Sequence, residues 1–369
     1  MAFNLFKKKK EDKPEGNQRY YDLKVNKIIK ETKDAISIEF EKPSDGMSYK
    51  PGQFLTLIIP IDGKEVRRSY SLSSSPFVDD NPTVTVKRVE GGLMSNWLPD
   101  NLKENDKVRI MEPMGSFTTD YSSGQKRHLV MFAGGSGITP MMSIIKSLLT
   151  QESDSIVSLI YANRDIESII FKEELNKWET DYEGRLHVIH TLDDAPMNWQ
   201  GHSGLLNKEM LTKIFERIPN WGKENTTYLM CGPEGMMKNV ENLLTEEGIA
   251  KESIYKESFV AGTIDKELNK KEEADSDDQS HEVTIHYDGE EYKVNVPTGT
   301  SILETALEEG IDLPYSCQAG LCTACRCKKI SGEMTMDEEE GLSDAEREDG
   351  YVLICVGHPK SDDLVLEVG

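Results

Sequence analysis

The sequence predicts a multi-domain chain in which a β region, an α/β region and a small α+β region follow one another. Three observations predict it. Between Tyr20 and about Asp120, short alternating runs are broken by Pro43, Pro51-Gly52, Asp62-Gly63 and Pro82, the text of a small antiparallel barrel. From Arg127 onward, strands alternate with helical patterns, which implies a parallel sheet with helices on both faces. After a charged stretch, two strands and a capped helix lead into Cys317-Gln-Ala-Gly-Leu-Cys322-Thr-Ala-Cys325, with Cys355 downstream. A length of 369 residues suits two or three such units, and no apolar run approaches the roughly 18 residues of a membrane span.

The β region reads as strands at Tyr21–Ile29, Ala35–Phe40, Phe54–Ile59, Thr83–Val89 and Lys107–Met111, with one helix at Leu93–Leu98 behind Gly91-Gly92. The α/β region reads as strand Arg127–Ala133, a Gly-rich turn over Gly134–Pro140, and helix to Leu149. Strand Ile156–Ala162, helix Phe171–Glu179, strand Leu186–His190, helix Met210–Ile218, strand Thr227–Met230 and helix Met236–Glu247 follow. Residues 262–280 are polar, densely charged and nearly devoid of apolar side chains, so they read as a flexible linker. Beyond it come strands Val283–Tyr287 and Glu291–Val296 and helix Ile302–Glu309, with Ser301 as N-cap, Glu304 three residues on and Gly310 past its end. The expected units are a basic leader at 1–19, a barrel at 20–122, an α/β unit at 123–261, the linker at 262–280 and a cysteine-bearing unit at 281–369.

Charge and cysteines narrow the function. Net charge is −23, and His281–Gly369 holds 20 acidic and 6 basic side chains, a balance of −14. That argues against nucleic acid and suits a basic face on another protein. Six cysteines without an export signal read as metal ligands or free thiols, and the expected compartment is the cytoplasm. The leader puts Phe3, Leu5 and Phe6 before Lys7–Lys10, the wrong order for a secretory signal, and reads as a solubilising tail.

Four motifs carry chemistry. The cysteine loop has four residues between the first pair of thiols, two between the second and 29 before Cys355, the ligand spacing of a plant-type [2Fe–2S] site. Cys317, Cys322, Cys325 and Cys355 are the expected ligands, and Cys327 reads as a structural thiol. The 5-and-3 offsets leave too long a gap to a single fourth cysteine for zinc. Arg68-Ser69-Tyr70-Ser71 puts Arg68 and Tyr70 on one strand face, a guanidinium for a pyrophosphate and a phenol to pack on an isoalloxazine, with Ser71 near flavin N5. Alone it would also read as an ordinary polar strand end. Val86-Lys87-Arg88-Val89-Glu90-Gly91-Gly92-Leu-Met-Ser95 strengthens the flavin reading, because Gly91 and Gly92 open a helix whose first N–H groups, with Ser95, can bind phosphate. Gly134–Pro140 presents free N–H groups to a diphosphate, with Pro140 suited to a first helical turn. Cys231-Gly232-Pro233 lies at a strand end, where a small thiol can help hold a nicotinamide against a flavin; Cys231 is not read as a nucleophile, but with Ser71 it is expected at the catalytic centre.

With these residues in hand, the chain resembles the ferredoxin–NADP reductase superfamily from about Tyr20 to Gly369. Within it, the chain looks like the oxygenase reductase components that carry a C-terminal plant-type ferredoxin domain, such as the phenylacetyl-CoA epoxidase reductase type. The resemblance implies a flavin-binding antiparallel β-barrel, a doubly wound nicotinamide-nucleotide domain and a β-grasp ferredoxin domain. It implies flavin contacts from Arg68, Tyr70, Ser71, Val86, Lys87, Gly92 and Ser95. It implies nucleotide contacts from Gly135, Gly137, Thr139 and Pro140, and a place near the nicotinamide for Cys231, Gly232 and Pro233. Glu257 and Phe259 match the segment that ends this module, where the aromatic approaches the flavin. Gln318 stands where the family often has Arg.

The expected activity is an NAD(P)H-dependent reductase passing electrons through FAD and a [2Fe–2S] cluster to an oxygenase or desaturase docked on the acidic domain. FAD is favoured over FMN because Gly91–Ser95 offers a second phosphate site. Arg164 and Ser168, after the second α/β strand, favour NADPH by charge and hydrogen bonding, while Asp165 and Glu167 argue for NADH. Two other readings stay open: a reductase for a different acceptor, such as a hybrid-cluster protein, and a redox-sensing or interaction module without turnover.

Overall fold

The structure, a computed structural model, describes residues 20–44, 46–259, 280–339 and 341–368. The leader at 1–19 and all of the expected linker except Ser280 lie outside the described residues; Ser280 opens a strand.

Six antiparallel strands make the first sheet: β1 (Tyr20–Lys30), β2 (Ala35–Phe40), β3 (Phe54–Ile61), β4 (Lys64–Ser71), β5 (Thr83–Lys87) and β6 (Lys107–Met111). Their order is β4-β3-β6-β1-β2-β5, and a bridge between Leu72 and Val84 brings the end of β4 to β5, curling the sheet into a barrel. Leu55, Leu57, Ile38, Val84, Val86 and Ile110 fill it. Helix α1 (Leu93–Asn101) plugs one side through Met94 and Leu98.

The second sheet is parallel, in the order β10-β9-β8-β7-β11-β12. Its strands are β7 (His128–Gly134), β8 (Ile156–Asn163), β9 (Leu186–Leu192), β10 (His202–Ser203), β11 (Thr226–Cys231) and β12 (Ile254–Glu257). The chain winds outward from β7 through β10 and then returns to add β11 and β12 on the opposite side. Helices α2 (Ile138–Gln151) and α3 (Lys172–Asp181) cover one face, and α4 (Lys208–Phe215) and α5 (Glu234–Glu246) the other. The order reverses between β7 and β11, which sets the ligand crevice at the carboxyl ends of those two strands.

The third sheet is mixed, in the order β14-β13-β19-β15-β17. It comprises β13 (Ser280–Tyr287), β14 (Glu290–Pro297), β15 (Arg326–Ser331), β17 (Tyr351–Leu353) and β19 (Leu364–Val368), and a small pair, β16 (Met334–Met336) and β18 (Gly357–Pro359), flanks it. Helix α6 (Ile302–Glu308) lays Ile302, Leu303 and Ala306 on this sheet in a β-grasp arrangement. The Ser301 hydroxyl accepts from the Glu304 N–H at 3.2 Å, as the capping pattern predicts. Helix α7 (Asp344–Glu348) follows the cysteine loop.

The barrel and the parallel sheet share an apolar core: Ala35 and Phe117 pack in one cluster with Met141, Ile144 and Ile145. Lys146, 9% exposed, reaches across that seam to Asp79 at 3.3 Å and pairs with Glu174 of its own unit at 2.7 Å. Nearby, the fully buried Glu152 takes Arg127 at 3.1 and 2.7 Å and the Ser155 hydroxyl at 2.6 Å, while Arg127 also donates to Thr119 and the Asp120 carbonyl. Removing one partner of such a pair leaves the other buried and uncompensated. Glu152→Ala should therefore lower the stability of the barrel–nucleotide unit by roughly 3 kcal/mol, read as a shift in its denaturation midpoint, whereas a loss below about 0.5 kcal/mol would show that Arg127 finds water instead.

Candidate functional site

The crevice at the switch point is built by backbone approaching backbone. Gly137, in the turn between β7 and α2, faces the end of β11 so closely that a Cβ there would collide with the Cys231 carbonyl. Gly232 lies against Gly134, where an added Cβ would come within 2.8 Å of the Gly134 nitrogen. Gly135 takes a left-handed φ of 52°, and the buried Tyr161 hydroxyl supports it from below, donating to the Gly135 carbonyl at 3.1 Å. Thr139 uses its hydroxyl on the Ser136 carbonyl at 3.0 Å, closing the turn, and Pro140 sits in the first turn of α2, where no backbone donor is needed. Two loops thus interlock through glycines and leave the N-terminal amides of α2 facing the crevice.

Cys231 ends β11 fully buried, and burial with the neighbouring Glu257 pushes its thiol well above the ordinary range. A buried thiol held protonated in this way is not poised as a nucleophile. Strand register puts Glu257 of β12 directly beside it. Burial pushes the Glu257 carboxyl up to about 8, partly offset by the Ser71 hydroxyl, which donates to it at 3.3 Å. Ser71, Glu257 and Cys231 therefore form a contiguous row from barrel to parallel sheet.

Next to this row opens a cleft of about 450 Å³, within the size range of cofactor sites. The barrel lines it with Arg68, Tyr70, Ser71, Lys87, Gly92 and Ser95, the parallel sheet with Thr139, Glu257 and Phe259, and the third unit with Cys317, Cys322 and Arg326. Arg68, Lys87, the start of α1 and aromatic faces fit a phosphate-bearing flavin. Lys87 reaches toward Gly135, 3.1 Å from where a Cβ would stand, so its ammonium sits between the flavin cleft and the nucleotide turn. Burial, with Arg164 nearby, lowers its pKa. Alternation along β5 sends Val86 the other way, into the barrel core, so its side chain does not contribute to the cleft. Gly91 makes the turn into α1, and Ser95 accepts from the Val89 N–H at 3.3 Å, stiffening that turn.

The second expected cofactor determinant is divided. Ser168 is buried and forms a reciprocal cap with Asp165: its N–H donates to the Asp165 carboxylate at 2.8 Å and its hydroxyl to the Asp165 carbonyl at 2.8 Å. Arg164 is exposed, paired to Asp165 at 3.0 Å and lying 3.8 Å from Asp34. Asp165 is thus both a helix cap and a counter-ion.

The cysteine loop brings its thiols together. The Cys322 and Cys355 thiols hydrogen-bond to Cys317, and with the amides of Ala319 and Leu321 they hold the Cys317 sulfur well below the ordinary thiol range. The same contacts raise Cys322 and Cys355, and Cys355 also hydrogen-bonds to Cys325. Gln318 and Gly320 have φ of 55° and 72°, which turns loop amides inward. Gly320 and Gly341 pack without room for a Cβ: one at Gly320 would meet Glu338 at 2.7 Å, and one at Gly341 would meet the Gly320 carbonyl at 2.7 Å. A two-iron cluster spreads four thiolates over two metals, so this donor set fits it. Cys325 and Cys355 are buried, and Cys317 and Cys322 face the cleft. Cys327 points into the core and donates to the Cys325 carbonyl at 3.6 Å.

Fold and site together define a flavin- and nicotinamide-nucleotide-dependent oxidoreductase with an appended iron–sulfur module. Residues 22–119 match the oxidoreductase FAD-binding domain, residues 131–242 the oxidoreductase NAD-binding domain and residues 285–360 the 2Fe-2S iron-sulfur cluster binding domain. The chain is 37% identical to the ferredoxin reductase component of 3-ketosteroid-9-alpha-monooxygenase from Rhodococcus rhodochrous, over 96% of this chain and 98% of that one. It is 31% identical to a component of the 1,2-phenylacetyl-CoA epoxidase of Escherichia coli, over 94% and 97%. Among solved structures it is similar to phthalate dioxygenase reductase, described as modular for electron transfer from pyridine nucleotides to [2Fe-2S], with a TM-score of 0.57, 25% identity and coverage of 95% and 98%. The chain belongs to this family of reductases, which join FAD-binding, NAD-binding and [2Fe–2S] modules.

Glu257 gives the site a pH signature. Between about 4.5 and about 8, the folded chain keeps a proton at this carboxyl that the unfolded chain has released, so stability falls as pH rises through that window. Glu257→Gln should flatten that slope in denaturation measured across pH, and a slope unchanged from the parent would place its origin elsewhere.

Proposed function

We propose that this chain oxidises NAD(P)H and delivers the electrons one at a time to an oxygenase component. The observation that carries it is the convergence of the Arg68–Ser71 strand end, Glu257–Phe259 and the Cys317–Cys322 loop on one cleft, beside the Gly134–Gly137 turn. When bound, NAD(P)H supplies a hydride, FAD converts two-electron into one-electron chemistry and the [2Fe–2S] cluster carries single electrons. The chain's own residues bind and orient. Arg68, Lys87 and the start of α1 hold phosphates, Tyr70 and Phe259 offer apolar faces, and the Gly134–Gly137 turn seats the nucleotide diphosphate. The Ser71–Glu257–Cys231 row, buried at Ser71 and Cys231 and half-buried at Glu257, shapes the floor and holds a proton at Glu257.

The acceptor follows from the relatives, whose names tie them to a ketosteroid monooxygenase, a phenylacetyl-CoA epoxidase and a glycine betaine monooxygenase. We assign this chain an oxygenase partner that docks through basic side chains on the acidic 281–369 unit. These named relatives favour an oxygenase over a desaturase or hybrid-cluster acceptor, and a non-catalytic sensor would not need all three sites on one cleft. No helix among the described residues is long and apolar enough to cross a membrane.

For the nucleotide we propose NADPH, carried by Arg164 alone, since the Ser168 hydroxyl is closed in its cap. Purified protein should show flavin and [2Fe–2S] bands together, both bleached by NADPH; cluster bands that NAD(P)H leaves unbleached would favour the sensor. Arg164→Ala should raise KM for NADPH about tenfold, the loss of one charge-assisted contact, while leaving NADH within about twofold. Equal effects on both would overturn the NADPH assignment without touching the reductase reading.

A further inference from the structure

The three units are not joined alike. The barrel and the parallel sheet share an apolar cluster that includes Ala35, Phe117 and Ile144. The apolar core of the cysteine-bearing unit draws only on residues between Val283 and Val368, so among the described residues it shares no buried apolar cluster with either neighbour. What holds it to the barrel is polar. The Tyr20 hydroxyl donates to the Asp312 carboxylate at 2.9 and 3.1 Å. The Arg67 guanidinium, held by Glu65 of the barrel at 2.8 Å, lies 3.9 Å from Asp312 and stacks over the Tyr315 ring at 4.1 Å. The Ser69 hydroxyl donates to the Ser316 hydroxyl at 2.8 Å. Ser316 is the residue before the first ligand cysteine, and Ser69 lies next to Arg68, so these contacts bring the cysteine loop to the flavin cleft.

We infer that the Tyr20–Arg67–Ser69 edge of the barrel is a releasable latch for the cysteine-bearing unit. Closed, it seats the loop for electron transfer from flavin; open, it frees the same loop face for the acceptor. The burial of the ligands supports this. Cys325 and Cys355 are buried, while Cys317 and Cys322 are partly exposed and line the cleft. The accessible side of the site thus faces the barrel, and an acceptor using that side has to displace it. The barrel offers two guanidinium groups at this edge, Arg67, paired to Glu65, and Arg109, which stacks on Tyr20 at 4.7 Å, so it presents cations to the acidic unit as a basic acceptor face would. A contact that, among the described residues, combines hydroxyls, an ion pair and a cation–π stack and shares no buried apolar cluster is the kind that opens and closes. The electron count requires repeated use. One NAD(P)H yields NAD(P)+, one proton released to solvent and two electrons; a [2Fe–2S] cluster carries one, so two closures serve each hydride, with two one-electron reductions of acceptor.

This inference rests on the reductase reading, and one set of measurements separates the two. In anaerobic stopped-flow mixing with NADPH, the holoprotein should bleach first in its flavin band and then in its cluster band. Arg67→Ala and Asp312→Ala should leave the flavin phase within about twofold and slow the cluster phase about tenfold or more, which corresponds to about 1.4 kcal/mol of lost positioning. Asp312 is exposed, so its variant tests the latch even where Arg67→Ala disturbs the barrel. Small-angle scattering gives a readout free of turnover: the radius of gyration of the full chain should rise in both variants, and in the parent as salt goes from about 0.01 M to about 1 M. A cluster phase within twofold of the parent in both variants, or a radius of gyration unmoved by substitution and salt, overturns the latch. Missing flavin or cluster bands in the unaltered protein would instead overturn the reductase reading beneath it.

Discussion

The close approach of Gly137 to the Cys231 carbonyl, with Gly232 against Gly134, is the constraint from which the rest of the site hangs. It occurs where the parallel sheet reverses its winding, so two loops from non-consecutive strands must share one small space. A side chain at either glycine would push the loops apart. That shift would pass along β11 to Cys231, across the strand pair to Glu257 and from Glu257 to Ser71 of the barrel. A single backbone contact thereby aligns the nucleotide turn with the flavin cleft.

Two kinds of interface divide the labour. The barrel and parallel sheet are locked by apolar packing around Phe117, by the Lys146–Asp79 ion pair and by Arg127, which the buried Glu152 holds while it donates to Thr119 and Asp120 of the barrel, and this suits a site where nicotinamide and flavin must keep fixed geometry. The iron–sulfur module has its own core around Ile285, Leu353 and Leu366 and meets the barrel through polar side chains. Hydride transfer needs atoms placed closely, whereas a protein that hands electrons onward needs a surface it can share. The distribution of apolar area follows that difference.

Much of this is legible in the chain. The four cysteines announce themselves because three are local and their spacing is specific to one kind of site. The barrel strands at Ala35–Phe40 and Lys107–Met111 follow from alternation, and the structure has them with the same bounds. Strands β10 and β12, at two and four residues, carry too little pattern to read, and β4 is visible only through its motif. Tyr161 beneath the nucleotide turn and Gly341 behind the cysteine loop have no signal of their own: each acts through a partner at least 19 residues away in sequence. Val86 and Ser168 show the opposite limit. Each lies in an informative stretch, yet one side chain turns into the barrel core and the other closes a cap on Asp165.

The sequence by itself determined the three-part architecture and the cofactor classes, since these rest on periodicity, turn residues and short-range spacing that the chain carries locally. Only the tertiary structure decided that Glu257 stands beside both Cys231 and Ser71, that Arg164 rather than Ser168 faces solvent, and that Ser316 meets Ser69 so that the cysteine loop opens on the flavin cleft. Those relations depend on strand register and on the docking of separate units. Both are set by packing between residues as far apart as Ser69 and Ser316, and no local pattern encodes them.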